Sequence, residues 1–280
     1  MKIKISADST CDLPKDLAAK YGIGITPLYV VIDGRELRDG DEITPEDIYR
    51  HVSSGKGMCS TAAVSYGDYM DVFGAWLEEY DEIVHFTISQ SMSACYQNAC
   101  MVAQKLGRIH VVDSASLSVG ISMLAVRAAE MAAAGATADE IVAETEAMKE
   151  RLDVSFVIET LEYLWKGGRC SAVAALGANL LHLRPSIELH GGAMEVSKKY
   201  RGALEKYIPK YLSDRLSAGG FDRRRAWIVD SGIDEGIRAA AMEQVKASGL
   251  FDEVLCARAG CTISNHCGPN TLGVIMMRAE

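Results

Sequence analysis

The strongest constraint on this chain is the alternation of strand-like and helix-like segments through its first 160 residues. Strand-like runs, rich in Val, Ile and aromatic residues and ended by polar turns, occur at KIKISAD (2–8), GITPLYVVID (24–33), EIVHFTIS (82–89), RIHVVDS (108–114) and VSFVIET (154–160). Helical patterns fall between them at 15–21, 45–54, 66–79, 94–106, 117–134 and 138–151, the last opening on Thr137 with Glu140 three residues on. Such alternation implies a largely parallel sheet covered by helices. Ligands of such sheets bind outside the carboxyl ends of the strands, where Asp8–Ser9–Thr10, Ser89–Ser93 and Asp113–Ser114 fall.

The second half has a different rhythm. LEYLWKGGRCS (161–171) leads into an Ala- and Leu-rich helix over 172–183, then a hairpin around Gly191–Gly192. Helix 203–217, strand 225–230, helix 233–248 and strands 252–258 and 271–278 complete the pattern of a mixed two-layer α/β domain. The expected boundary lies near residue 160, giving domains over 1–160 and 161–280 that pack closely about a cleft.

Composition narrows the function. With 49% apolar residues in 280, the chain can bury a large core. No apolar run approaches the roughly 20 residues of a membrane-spanning helix, so no stable membrane insertion is expected. The opening MKIKISADST lacks a signal-peptide core, and the expected compartment is the cytoplasm. A net charge of −9 argues against nucleic acid and against an anionic membrane surface. Eight cysteines, at 11, 59, 95, 100, 170, 256, 261 and 267, include no C-x-x-C pair and no histidine at zinc-finger spacing, so they read as reduced, buried thiols and no metal site is expected. Cys59, Cys95 and Cys267 lie inside motif segments, but nothing nearby in sequence supplies a base for a nucleophile.

Five segments can carry chemistry. In IVHFTISQSMSACYQNA (83–99) a strand meets a helix through a turn bearing Ser89, Ser91 and Ser93, where free helix N–H groups and hydroxyls can gather an anion. The same residues also suit a helix cap. DSTCDLP (8–14) reads as a turn capped by Ser9 or Asp12, and MCSTAAVSYGDY (58–69) offers Thr61 ahead of a helix capped by Ser65. KGGRCS (166–171) places Arg169 beside two glycines that form a helix C-cap or hold the arginine for an anion. In ISNHCGPN (263–270), His266 before a Gly–Pro turn is either simply exposed or a hydrogen-bond or charge donor to an acid.

Together and in this order, these motifs resemble the DegV family, the fatty-acid-binding proteins that serve bacterial fatty acid kinase. DSTCDLP is similar to D-S-x-x-D-L-P, TAAVSYGDY stands where the family has T-S-Q-P-S-P-G-D-F, and ISQSMSACYQNA where it has L-S-S-G-L-S-G-T-Y-Q-S-A. VVDSASLSVG, LEYLWKGGRCS, LRPSIELHGG, KKYRG and HCGPNTLG continue the match end to end.

The resemblance implies a two-domain DegV-like fold, a three-layer α/β/α parallel-sheet domain plus a two-layer mixed-sheet domain. It implies a long-chain fatty acid held in a buried tunnel, with no cofactor and no catalytic residue. By position, Thr61, Ser93 and His266 match the family's carboxylate ligands, while Arg169 and Arg201 match basic residues near the ligand entrance that suit contact with the kinase or an acyl phosphate. The protein is then a substrate-presenting partner of an ATP-dependent kinase that makes acyl phosphate for phospholipid synthesis. The apolar helices 121–134 and 172–183 are the expected tunnel walls, although both also suit ordinary core helices. The chain departs from the family at Ala62–Ala63–Val64, Gln90–Ser91, Ala94–Cys95 and Asn270, where Ser–Gln–Pro, Ser–Gly, Gly–Thr and Gly are usual. Two other readings are a small-anion or phosphometabolite binder, although no Walker or Rossmann glycine motif is present, and a serine or cysteine acyl hydrolase, although no G-x-S-x-G elbow is present.

Overall fold

In the computed structural model, which describes residues 1–170 and 183–280, the alternating pattern resolves into two units. One comprises Met1–Thr44 with Ser60–Glu150, the other Pro45–Cys59 with Arg151–Glu280. The division thus falls ten residues earlier than the sequence pattern places it, and a segment of the first half, 45–59, joins the second unit.

In the first unit the strands β1 (Ile3–Asp8), β2 (Gly24–Thr26), β6 (Glu82–Thr87) and β7 (Ile109–Asp113) make an all-parallel sheet in the order β2-β1-β6-β7. The run 24–33 is two strands rather than one, because Pro27 has no N–H to continue a ladder. After it, β3 (Tyr29–Ile32) pairs antiparallel with β4 (Arg35–Arg38) and β5 (Ser60–Ala62), two short strands too polar to show in the hydrophobic pattern. Along β6 every residue from Ile83 to Thr87 is buried, which requires cover on both sheet faces.

That cover comes from paired helices. α3 (Tyr66–Leu77) packs on β6 and α4 (Cys95–Leu106) on β7, while α5 (Val119–Ala133) packs on β1 and β6 and α6 (Ala138–Lys149) on β6 and β7. α1 (Lys15–Tyr21) lies beside α5. The result is the expected three-layer arrangement. α5 is buried at every position from Val119 to Val126 and acts as a core helix beneath the sheet.

In the second unit β8 (Leu152–Val157), β9 (Arg184–His190), β10 (Ala193–Tyr200), β11 (Arg225–Asp230), β12 (Glu253–Arg258) and β13 (Leu272–Met277) form a mixed sheet in the order β10-β9-β8-β13-β11-β12. The run VSFVIET therefore belongs here and not to the parallel sheet: Val154 stands opposite Ile275 and Phe156 opposite Ile187, both in antiparallel pairs. A fully apolar strand matches any buried sheet, so its own pattern does not say which it joins. The β9–β10 hairpin turns through Gly191 and Gly192 at φ 55° and 83°, angles that favour glycine.

Against one face of this sheet lie α8 (Leu204–Leu216) and α9 (Glu235–Ala247). Tyr207, Tyr211 and Leu212 of α8 and Val245 of α9 meet Ile228 of β11 and Leu272, Val274 and Met276 of β13 in one core. α2 (Pro45–Ser53) joins this unit through Tyr49, whose OH donates to Ser231 O at 3.2 Å, and through a Glu46–Arg258 ion pair. α7 (Glu162–Gly167) and α2 pack against α10 (Cys261–Cys267), a helix where the sequence suggests only a turn. The helix expected over 172–183 lies, but for its last residue, outside the described residues. Among the described residues no helix is long and apolar enough to cross a membrane, and all eight cysteines are free thiols.

Candidate functional site

The carboxyl ends of β1, β6 and β7 end in turns stitched together by hydrogen bonds. Asp8 accepts from the N–H of Ile88 at 2.8 Å and of Thr10 at 3.1 Å, and Thr10 Oγ1 also donates to it. Asp8 therefore caps the start of this turn, rather than Ser9, while Asp12, at φ 52°, caps its end through its backbone N–H to Ser9 O. Burial pushes the Asp8 pKa up to about 6 against the pull of its donors. From β7, Asp113 accepts from Gln90 N at 3.1 Å and Ala115 N at 3.0 Å, while Ser89 N donates to Ser116 O at 2.9 Å. Ser118, at φ 53°, is held in its left-handed conformation by a 2.5 Å bond from its Oγ to Asp12.

These bonds sort the hydroxyls. Ser89 and Ser91 face each other at 3.0 Å, and Ser91 N donates to Ser89 Oγ at 3.3 Å, a local turn. Ser9 Oγ donates to Asp39 at 3.2 Å and accepts from Leu28 N at 3.0 Å. Ser93 differs. It is half-buried, its Oγ donates to Cys95 Sγ at 3.2 Å, and it accepts from Cys95 N at 3.3 Å, so it sits directly before the first turn of α4. Ala94 takes φ −78°, so the glycine usual there is not required.

Thr61 is the middle residue of β5, half-buried and paired with Val30. The strand's exit is fastened to α4: Asn98 Nδ2 donates to Val64 O at 2.8 Å, and the Val64 backbone lies close enough to the Cys95 thiol to pull its pKa down against burial. Val64 is 1% exposed, so packing and this bond hold the loop where the family uses a proline. The Thr61 strand and the Ser93 turn are thus anchored to the same helix end. Ser65 follows with a full capping box to Asp68, as its sequence suggests.

His266 stands in the last turn of α10, half-buried. Its ring lies so close to α7 that a Cβ on Gly167 would fall 2.4 Å from Nδ1. Gly168, at φ 67°, caps α7, which accounts for both glycines of the KGGR segment. Burial, helped by the Arg169 charge, lowers the His266 pKa to about 4. At neutral pH His266 therefore offers a hydrogen bond and not a charge. Arg169 is exposed and donates from Nη1 to Gly167 O at 2.9 Å, next to the histidine it influences. Arg201 is exposed in the turn after β10. Asn270 takes φ 61°, a left-handed conformation that asparagine tolerates and that suits the glycine expected there from the resemblance.

A nucleophilic role for Cys95 conflicts with its surroundings, since burial pushes the thiol up to about 12. Within this unit the nearest histidine in the hydrogen-bond pattern, His85, is separated from Ser93 by Tyr69 and Cys95. Sequence reasoning overlooked that buried string. Its signal was a polar residue between apolar neighbours in each of two strands, Ser6 between Ile5 and Ala7 in β1 and His85 between Val84 and Phe86 in β6, which stand opposite each other in register.

The comparisons with known proteins agree over the whole chain. A family model described as "Uncharacterised protein, DegV family" matches residues 2–279. A DegV domain-containing protein of Caldanaerobacter subterraneus is 31% identical, with 98% of each chain covered. A protein of Thermotoga maritima named "Fatty acid-binding protein" is 30% identical over 98% of this chain and 96% of its own. Among solved structures, a fatty-acid-binding DegV family protein from Thermus thermophilus superposes with a TM-score of 0.92 at 36% identity, covering 99% of this chain and 100% of that one.

Proposed function

The chain belongs to the DegV family, and from that premise we propose that it binds one long-chain fatty acid and presents its carboxylate to a separate ATP-dependent fatty acid kinase. Thr61, Ser93 and His266 are the proposed carboxylate ligands, and Arg169 and Arg201 the proposed contacts to the kinase or the acyl phosphate. The observation that carries this reading is the common anchoring of the Thr61 strand and the Ser93 turn on the end of α4.

The chemistry of these side chains suits the task. A tail of about 16 carbons, at about 0.8 kcal/mol per buried methylene, contributes on the order of 10 kcal/mol, so the tail dominates affinity and the head group sets orientation. Hydrogen bonds to a charged acceptor contribute roughly 1.5–3 kcal/mol each, enough for two or three to offset desolvation of a carboxylate. Hydroxyls and a neutral histidine hold the anion without neutralising it. The carboxylate oxygen keeps the nucleophilicity that phosphoryl transfer requires.

Native mass spectrometry of the purified protein tests the ligand: a bound species with the mass of a long-chain fatty acid is expected, and an empty protein or a small phosphorylated ligand contradicts the reading. With a fatty acid kinase and ATP, Ser93→Ala is expected to lower acyl-phosphate formation at least about tenfold. Unchanged turnover removes Ser93 from the site.

A further inference from the structure

Ser93 is the outer end of a buried string of polar groups. Its Oγ is 3.2 Å from Cys95 Sγ. Tyr69 lies beside Cys95, each shifting the other's pKa, and also beside Thr26; its OH lies 3.4 Å from His85 Nε2, and His85 Nδ1 lies 2.9 Å from Ser6 Oγ. Ser6, Tyr69, His85 and Cys95 are each 0% exposed. Four consecutive fully buried polar groups carry a desolvation cost that plain packing does not require.

We propose that Cys95 is a positioning residue which, through the string Ser6–His85–Tyr69–Cys95, sets the Ser93 hydroxyl to donate to the carboxylate of the ligand. The proposal rests on the fatty-acid reading above. In the structure Ser93 spends its proton on Cys95 Sγ. When a carboxylate reaches Ser93, that proton turns outward and the Cys95 S–H turns to Ser93 Oγ. Tyr69 O–H then donates to the sulfur, His85 Nε2–H to the Tyr69 oxygen, and Ser6 O–H to His85 Nδ1. No proton changes its heavy atom, because only hydroxyl and thiol rotors move.

Every donor then points toward the ligand, and each bond polarises the next. The string stays neutral as this needs: burial lowers the His85 pKa to about 3, raises Cys95 to about 12 and holds Tyr69 well above its ordinary value. A cysteine that merely filled space would support an acid and an uncharged analogue of the same tail equally.

The test compares delipidated wild type with Cys95→Ala, Cys95→Thr and Tyr69→Phe for binding of palmitic acid and of 1-hexadecanol. Cys95→Ala, which keeps the Ser93 hydroxyl but removes the donor behind it, is expected to lower the acid-to-alcohol affinity ratio a few-fold, through lost polarisation and positioning of the Ser93 bond. Cys95→Thr, with a hydroxyl to donate in the same place, restores the ratio, and Tyr69→Phe lowers it in the same direction. Nitrogen-15 shifts of His85 in the loaded protein are expected to show the proton on Nε2. A ratio unchanged in Cys95→Ala and in Tyr69→Phe overturns the inference alone, as does equal loss of both ligands. Wild type that binds no palmitic acid overturns the fatty-acid reading itself. Should Cys95→Ala not fold, Tyr69→Phe decides.

Discussion

At pH 7 the groups behind Ser93 carry no charge, and His85 determines how acid alters them. Its folded pKa, about 3, lies below the ordinary histidine value, so the unfolded chain binds the proton more tightly. The stability this contributes is complete above about pH 6.5 and is lost as pH falls from there toward 3. Asp8 acts in the opposite sense: its raised pKa, about 6, contributes stability below the ordinary carboxylate range that is lost as pH rises through 6. Comparing wild type with His85→Gln isolates the first effect. The gap between their urea-unfolding free energies is expected to shrink by about 2–3 kcal/mol between about pH 7 and 4.5. A constant gap contradicts a neutral, buried His85. None of this is visible in the residue string EIVHFTIS, because a pKa depends on what surrounds the ring and not on its chain neighbours.

At the scale of the element, local chemistry was legible. Thr137 opens α6 with a reciprocal cap: its Oγ1 accepts from Glu140 N at 3.3 Å while Glu140 accepts from Thr137 N at 2.8 Å. Thr137→Ala is expected to cost about 1 kcal/mol, read as a Tm drop of roughly 2–4 °C. Palmitic acid affinity should stay unchanged, because α6 carries no proposed ligand-binding residue. The helix bounds and the Gly191–Gly192 hairpin were legible for the same reason, since caps and turns depend on neighbours a few residues apart. α10 was not. It is seven residues long, and its buried face, Cys261, Thr262, Ser264, Asn265 and Cys267, is too polar for a hydrophobic period to mark it. That helix is what places His266 beside Gly167.

For the molecule as a whole, no sheet among the described residues is shared between the units, and a ligand that binds only the folded chain stabilises it by mass action. At a free concentration of about 100 times Kd the gain is ~2.7 kcal/mol. Thermal unfolding of the delipidated protein is therefore expected to shift upward with palmitic acid, and to shift less in Ser93→Ala at the same concentration. Absence of a shift in wild type contradicts the proposed ligand. Sequence alone determined the types of most elements, the parallel character of the first sheet and the family, because periodicity, capping and motif order are written along the chain. Only the tertiary structure decided that β8 and α2 belong to the second unit, that His266 is neutral, and that Ser93 is backed by Cys95, Tyr69, His85 and Ser6. Strand partnership, desolvation and buried hydrogen bonds all depend on residues distant in sequence, and folding alone brings those into contact.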